Sequence, residues 1–168
     1  HCGPGDEIIA DRTAHIINAE GGGPAIFAGA LVRPLSGPRG VYSAEQVAEA
    51  VREESRYAPT TALISVEQTS NGGGGTVWPL AAIEAVAEVA RKNGIPMHMD
   101  GARLMNAVVA SGVPARDFAK SFDSVWFDLS KGLGCPVGGV LAGSAEFIKQ
   151  AWQWKQRMGG AMRQAGIV

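Results

Sequence analysis

The chain has 168 residues, the size of one ordinary domain, and 46% of them are hydrophobic while 18% are charged. Fifteen basic residues face sixteen acidic ones, for a net charge of -1. This balance argues against a general nucleic-acid-binding protein, which is normally visibly basic, and it gives no electrostatic support to membrane attachment.

The two cysteines, Cys2 and Cys135, are too few for a disulfide framework and lie outside any CxxC spacing. This pattern predicts free thiols and a cytoplasmic protein. We expect no membrane span, because no apolar run approaches the roughly 20 residues that a spanning helix needs. No signal peptide is recognisable, the first residue is not Met, and both ends fall in turn-like or glycine-rich sequence. We therefore expect the chain to be a piece of a longer protein.

Apolar runs of strand length alternate with helical patterns along the chain. The predicted strands are 7–10, 31–35, 61–66, 96–99, 124–128 and 139–142, and the predicted helices are 43–55, 79–93, 102–111 and 144–158. Ser43 and Gln46 form a capping-box pattern at the start of the first helix, and Gly94 is a natural stop for the second. Strand–helix alternation with short connections predicts a single α/β domain with a mostly parallel sheet.

Polar segments follow three of the predicted strands, at 67–72, 98–103 and 128–134. Functional groups in parallel sheets gather beyond the carboxyl ends of the strands. Asp100 follows one strand, and the pair Ser130-Lys131 follows another. A lysine that forms a Schiff base and a carboxylate for the ring nitrogen are what a pyridoxal phosphate (PLP) site requires. The spacing makes this cofactor one interpretation.

Ordinary structural roles remain open for the same residues. A Ser-Lys pair before glycines also occurs in solvated turns, and Asp100-Gly101 is also a turn or helix-cap signal. Arg103 would then be a surface cation. His15 is either a half-buried histidine after a strand or a flat ring laid on a flat cofactor.

Other chemistry finds less support in the sequence. The glycines at 72–75 lack the Lys-Ser/Thr of a P-loop, so a flexible loop is favoured. The three histidines, His1, His15 and His98, have no metal-ligand spacing, and no metal site is predicted. Trp152 and Trp154 are most simply packing or subunit-interface residues.

Four motifs in order along nearly the whole chain resemble a known family. They are AHIINAEGGGPA from residue 14, HMDGARLMNAVVA from residue 98, LSKGLGCPVG from residue 129 and GGAMRQAG from residue 159. Together they resemble the low-specificity L-threonine aldolases, which belong to the β-eliminating lyase group of fold-type-I PLP enzymes.

The resemblance implies a role for each matching residue. Lys131 would form the Schiff base with PLP, Asp100 would pair with the pyridinium nitrogen, and His15 would stack on the ring. His15, or a water that it positions, would be the catalytic base. The remaining implied contacts are Arg103 with the substrate carboxylate, Ser130 with the cofactor, Ser70 with the substrate, and Arg163 near the phosphate or a subunit boundary. Ser70 stands where many family members have a histidine. This difference concerns the identity of the catalytic base and the preference for the substrate side chain.

The implied fold is an aspartate-aminotransferase-like large domain with helices on both faces of the sheet. Residues 1–168 would be its central portion, without the amino-terminal segment and the carboxyl-terminal small domain. The implied reaction cleaves β-hydroxy-α-amino acids to glycine and an aldehyde, in a homodimer or homotetramer. The alternatives are another PLP-dependent lyase acting by β-elimination, and a truncated noncatalytic fragment.

Overall fold

A computed structural model describes residues 1–167 and contains one six-stranded sheet in the order β2-β1-β3-β4-β5-β6. The strands are β1 (Asp6–Asp11), β2 (Leu31–Leu35), β3 (Thr60–Glu67), β4 (Met97–Gly101), β5 (Ser124–Asp128) and β6 (Gly139–Gly143). Neighbouring strands from β1 to β5 are parallel, and β6 runs antiparallel to β5. All six strands lie within one or two residues of the predicted positions, and the mostly parallel sheet is confirmed.

Six α-helices connect or follow these strands. They are α1 (His15–Asn18), α2 (Ala44–Ala50), α3 (Leu80–Lys92), α4 (Leu104–Ser111), α5 (Ala115–Ala119) and α6 (Ala145–Arg157). Shorter helical turns are the π-helix Pro24–Ala28 and the 3-10 turns Pro38–Gly40 and Ala165–Ile167. Within residues 1–167, none of these helices combines the length and the apolar character needed to cross a membrane.

Helix α2 begins as predicted but ends earlier than the sequence pattern indicates. The capping box forms, because Ser43 Oγ accepts from Gln46 N and Gln46 Oε1 accepts from Ser43 N. The chain then leaves the helix at Val51. Arg52 N donates to Thr61 Oγ1 at 3.1 Å, and the Arg52 guanidinium pairs with the buried Glu7. These tertiary contacts compete with the last predicted helical turn, so 51–55 is not helical.

Side chains alternate between the two faces of the sheet, and the main core lies on one of them. Ile9, Ile64, Val66, Met97 and Met99 pack there against buried residues of α2, α3, α4 and α5. The opposite face carries a smaller cluster around Ile8 and Leu63. Helix α6 also packs on this second face, where its residues line a groove with Trp126. The predicted arrangement with helices on both faces is confirmed.

The centre of the second face is polar at the carboxyl ends of β3 and β4. Ser65 and Glu67 of β3 lie beside His98 and Asp100 of β4 in the strand register. Asp100 in turn lies beside Trp126 of β5. Since every second residue faces the same side, these five side chains share one surface. The register therefore brings charged groups and an aromatic ring together above the sheet.

Candidate active site

A cavity of about 270 Å³ lies on this polar surface. It is lined by Ala14, Ile16, Glu20, Ser65, Glu67, His98, Asp100 and Trp126. Strands β3, β4 and β5 supply its floor, and the segment after β1 supplies its wall. The cavity thus occupies the carboxyl ends of neighbouring parallel strands, where ligands bind in open α/β sheets.

Asp100 lies near the end of β4 with its carboxyl group on the cavity. Burial raises the pKa of Asp100 above its ordinary value. The Ala102 N–H, at 3.0 Å from Oδ1, opposes this rise, and the charge of Glu67 adds to it. His15 and Lys131 are close enough to lower the Asp100 pKa electrostatically. Three residues predicted from the sequence are therefore close enough to interact electrostatically: Asp100 with His15 and with Lys131.

His15 is the first residue of α1 and is held by Glu67. The His15 backbone N–H donates to Glu67 Oε2 at 2.8 Å, and His15 Nδ1 lies 3.1 Å from Glu67 Oε1. Oε1 also accepts from Asn71 N at 2.9 Å. The Glu67 side chain is only 6% exposed, whereas that of His15 is 28% exposed. Sequence reasoning named Glu67 only as part of a polar strand end and assigned it no role.

Lys131 lies in the turn that follows β5, near Trp126, which lines the cavity. Its Nζ is 3.0 Å from Asp128 Oδ2 and 5.3 Å from the centre of the Trp126 ring. The side chain is 37% exposed. A carboxylate therefore faces the Lys131 ammonium group, and the side chain is partly open to solvent rather than enclosed.

Asp128 organises this turn. Ser130 Oγ and Ser130 N donate to Asp128 Oδ1 at 2.6 and 2.7 Å. The Ser130 hydroxyl, the Ser130 N–H and Lys131 together lower the pKa of Asp128 to about 2. The group is therefore a carboxylate at neutral pH, and it holds both Ser130 and Lys131.

Six of the seven predicted site residues lie outside the cavity lining, all but Asp100. His15 and Lys131 contact lining residues and Ser130 adjoins Lys131, whereas the other three are placed as follows. Arg103 precedes α4 and lines a small cavity of about 10 Å³ beside Asp128 and Gly132. Its Nη1 is buried and has no hydrogen-bond partner among residues 1–167. Ser70 is 2% exposed, and its Oγ accepts from Gly73 N at 3.3 Å. Arg163 is exposed in the segment after α6. The roles implied for these three residues stay predictions.

His98 also lines the cavity, and burial keeps its ring uncharged. Its Nδ1 lies 2.7 Å from Ser124 Oγ, and burial lowers the pKa of His98 to about 4. The ring is therefore neutral at neutral pH.

Within residues 1–167, no group of three or more His, Cys, Asp or Glu side chains lies close enough to hold a metal ion. Both cysteines are free thiols.

Comparison with known proteins identifies the relatives of this chain. The β-eliminating lyase family model matches residues 1–168. The low-specificity L-threonine aldolase 1 of Arabidopsis thaliana is 38% identical over 100% of the chain and 48% of its own length. The low specificity L-threonine aldolase of Escherichia coli K12 is 36% identical over 100% of the chain and 50% of its own length. The chain thus spans about half the length of the curated relatives it matches.

Solved structures confirm the fold. A candidate L-allo-threonine aldolase from Listeria monocytogenes superposes with a TM-score of 0.80 at 25% identity, over 91% of this chain and 41% of that one. The threonine aldolase of Leishmania major gives a TM-score of 0.82 at 22% identity, over 93% of this chain and 46% of that one, and supports the fold alone. The resemblance inferred from the four sequence motifs is confirmed, and this chain belongs to the β-eliminating lyase family.

Proposed function

We propose that the protein is a PLP-dependent lyase that cleaves L-threonine, L-allo-threonine and related β-hydroxy-α-amino acids to glycine and an aldehyde. The observation that carries the proposal is a cavity at the carboxyl ends of the strands that Asp100 lines, with His15 bound to its lining residue Glu67 and Lys131 Nζ 5.3 Å from the ring centre of its lining residue Trp126. The names of the relatives at 36–38% identity support the same activity.

The donor set of the cavity fits PLP. Burial raises the pKa of Asp100 despite the neighbouring His15 and Lys131. A protonated pyridine nitrogen would add a cation next to the carboxyl group and favour its ionised form. Lys131, beside the lining residue Trp126, is the amine that would bind the cofactor's carbonyl carbon. Ser130 would contribute a polar group next to it.

The protein's own residues would orient the substrate and move its protons. When bound, the cofactor supplies an electron sink for the pair released as the Cα–Cβ bond breaks. His15, or a water that it positions, would take the proton of the β-hydroxyl group. The buried Nη1 of Arg103 has no hydrogen-bond partner among residues 1–167. An anion such as the substrate carboxylate would remove the cost of that burial.

The first experiment follows the products of threonine cleavage. Full-length protein with PLP and L-threonine is expected to give glycine and acetaldehyde in equal amounts. The second candidate function is β-elimination, which the family name favours, and which would give a keto acid and ammonia instead. Appearance of the keto acid without glycine would overturn the aldolase proposal and leave the lyase class intact.

The proposed setting is a cytoplasmic homodimer or homotetramer whose only partner in the reaction is a small amino acid. The exposed tryptophans of α6, Trp152 at 56% and Trp154 at 46%, are consistent with burial at a subunit or domain contact. The net charge of -1 favours neither a nucleic-acid nor a membrane partner. Gel filtration coupled to light scattering of the full-length protein measures the assembly directly.

A polypeptide restricted to residues 1–168 is expected to be a poor aldolase. By the family resemblance it is the central portion of the large domain, so the main phosphate-binding loop and a second carboxylate-binding arginine would lie outside it. Loss of one partner from a desolvated charged contact costs about 2–5 kcal/mol, and here two would be lost. Threonine cleavage by this polypeptide and by the full-length protein, assayed in parallel, checks the expectation. Equal turnover would contradict it.

A further inference from the structure

Glu67 makes more hydrogen-bond contacts than the other two acidic side chains that line the cavity, Glu20 and Asp100. Its two carboxylate oxygens face three nitrogens: His15 N at 2.8 Å, Asn71 N at 2.9 Å and His15 Nδ1 at 3.1 Å. The side chain is buried, with 6% of its surface exposed. A buried carboxylate that binds the backbone and the ring of the same histidine fixes both the position and the rotation of that ring.

The hydrogen bonds also determine which ring nitrogen carries the hydrogen. Each oxygen of Glu67 already accepts a backbone N–H, so the carboxylate acts toward Nδ1 as an acceptor. Nδ1 therefore carries the hydrogen of this contact. In a neutral ring Nε2 is then unprotonated, and it has no hydrogen-bond partner among residues 1–167. This is the nitrogen that can accept a proton from a ligand.

We propose that Glu67 is a positioning residue that holds His15 in the tautomer protonated at Nδ1 and so makes Nε2 the proton acceptor of the site. The catalytic meaning of this role rests on the function proposed above. The β-hydroxyl proton passes to Nε2, the O–H electron pair forms the C=O bond of the aldehyde, and the Cα–Cβ pair stays with the glycine carbon. The charged ring then faces the Glu67 carboxylate, and its proton later returns to the glycine carbon directly or through water.

A purely structural role for Glu67 predicts something different. Its bonds to His15 N and Asn71 N connect the start of α1 with the loop after β3. If this connection were its whole contribution, the tautomer of the ring would not depend on the Glu67 carboxylate, and Glu67→Gln would leave it unchanged. The tautomer of the His15 ring in Glu67→Gln therefore distinguishes a positioning role from a purely structural one.

The tautomer is measured by nitrogen-15 NMR of the histidine rings in the cofactor-free, full-length protein at about pH 8.5, where an ordinary histidine is neutral. We expect His15 to be protonated at Nδ1. In Glu67→Gln the ratio of the Nδ1–H to the Nε2–H form should fall about tenfold or more, since a charge-assisted hydrogen bond is lost. Glu20→Gln is the matched control: Glu20 lines the same cavity, but its side chain makes no hydrogen bond among residues 1–167, so the tautomer ratio should not change.

Three NMR results would overturn the proposal: a wild-type His15 protonated mainly at Nε2, a doubly protonated ring at that pH, or an unchanged ratio in Glu67→Gln. If Glu67→Gln does not fold, the wild-type spectrum alone decides, because the Nδ1–H form is required there. In the active holoenzyme, kcat of Glu67→Gln should fall about 10–100-fold with KM changing less than about threefold, since general-base catalysis contributes about 10²–10⁴-fold. Failure of the aldolase proposal would appear separately, as absence of glycine and aldehyde from the wild-type enzyme whatever the tautomer.

Discussion

Lys131→Ala is expected to abolish covalent attachment of PLP to the protein. Borohydride reduction converts the link between PLP and the lysine that holds it into a stable secondary amine, which mass spectrometry locates in a peptide. In the full-length wild-type protein the label should fall on Lys131, because its Nζ lies 5.3 Å from the centre of the Trp126 ring, which lines the cavity. Threonine cleavage should fall to background in the variant.

Lys120→Ala provides a matched control for the removal of an ion-paired lysine. Lys120 Nζ lies 2.9 Å from Glu84 Oε1, a pair much like that of Lys131 with Asp128 at 3.0 Å. Whereas Lys131 lies near Trp126 of the cavity that contains Asp100, Lys120 lines a different cavity, with Glu84 and Asp123. Its variant should therefore retain PLP labelling and turnover. Labelling of Lys131→Ala at the wild-type yield would remove Lys131 from its proposed role.

The Lys131 turn itself should survive the substitution. Two hydrogen bonds from Ser130 to Asp128 Oδ1 do not involve the lysine, and they are the leading causes of the low Asp128 pKa. A circular dichroism spectrum and a Tm close to those of the wild-type protein are thus expected for Lys131→Ala. Lost labelling in a folded protein then reports chemistry rather than misfolding.

The strands were predictable because their signals are local. Each is a short segment of ordinary strand length that contains apolar or β-branched residues, and the alternation of burial along β4 follows the two faces of the sheet. The α2 capping box was equally visible, since Ser43 and Gln46 are three residues apart. Helix α5, Ala115–Ala119, was missed because five residues are too few to show a helical period. The early end of α2 depends on Thr61 and Glu7, which local sequence does not reveal.

The site was predictable as far as parallel topology determines it. Polar residues after three strands were expected to meet at one edge of the sheet, and Glu67 and Asp100 from two of these strand ends line one cavity there. The roles of Asp100, His15 and Lys131 stay predictions. The role of Glu67 was not predictable in this way, because its partner His15 is 52 residues away in sequence. The pair of Asp128 with Lys131 was more accessible, since the two residues are three apart and lie in one turn. The burial of Ser70 depends on packing from another loop.

Asp100→Asn is expected to lower turnover at least tenfold while leaving Lys131 able to bind PLP. An amide does not hold the ring proton by charge, and loss of a charge-assisted hydrogen bond costs about 1.5–3 kcal/mol. The weaker electron sink should slow bond cleavage more than it weakens substrate binding, so kcat should fall more than KM rises. Steady-state kinetics and the borohydride label together measure both effects. Unchanged turnover would count against the assignment of Asp100.

The same variant is expected to be more stable than the wild-type protein when no cofactor is bound. Burial raises the folded-state pKa of Asp100 above the ordinary value of 3.8. A carboxyl group with a raised pKa favours the folded state when it is protonated, at low pH, and this contribution is lost as the pH rises through the folded-state pKa. At pH 7 the raised pKa of Asp100 therefore destabilises the cofactor-free fold, and asparagine removes that cost. A gain of about 1 kcal/mol would raise Tm by about 2–4 °C.

The gain should shrink as the pH falls toward 3.8, and thermal unfolding of both proteins across this range measures it. A variant that is less stable at pH 7 and less active would point to general damage, whereas higher stability with lower turnover identifies Asp100 as a charge kept for the cofactor.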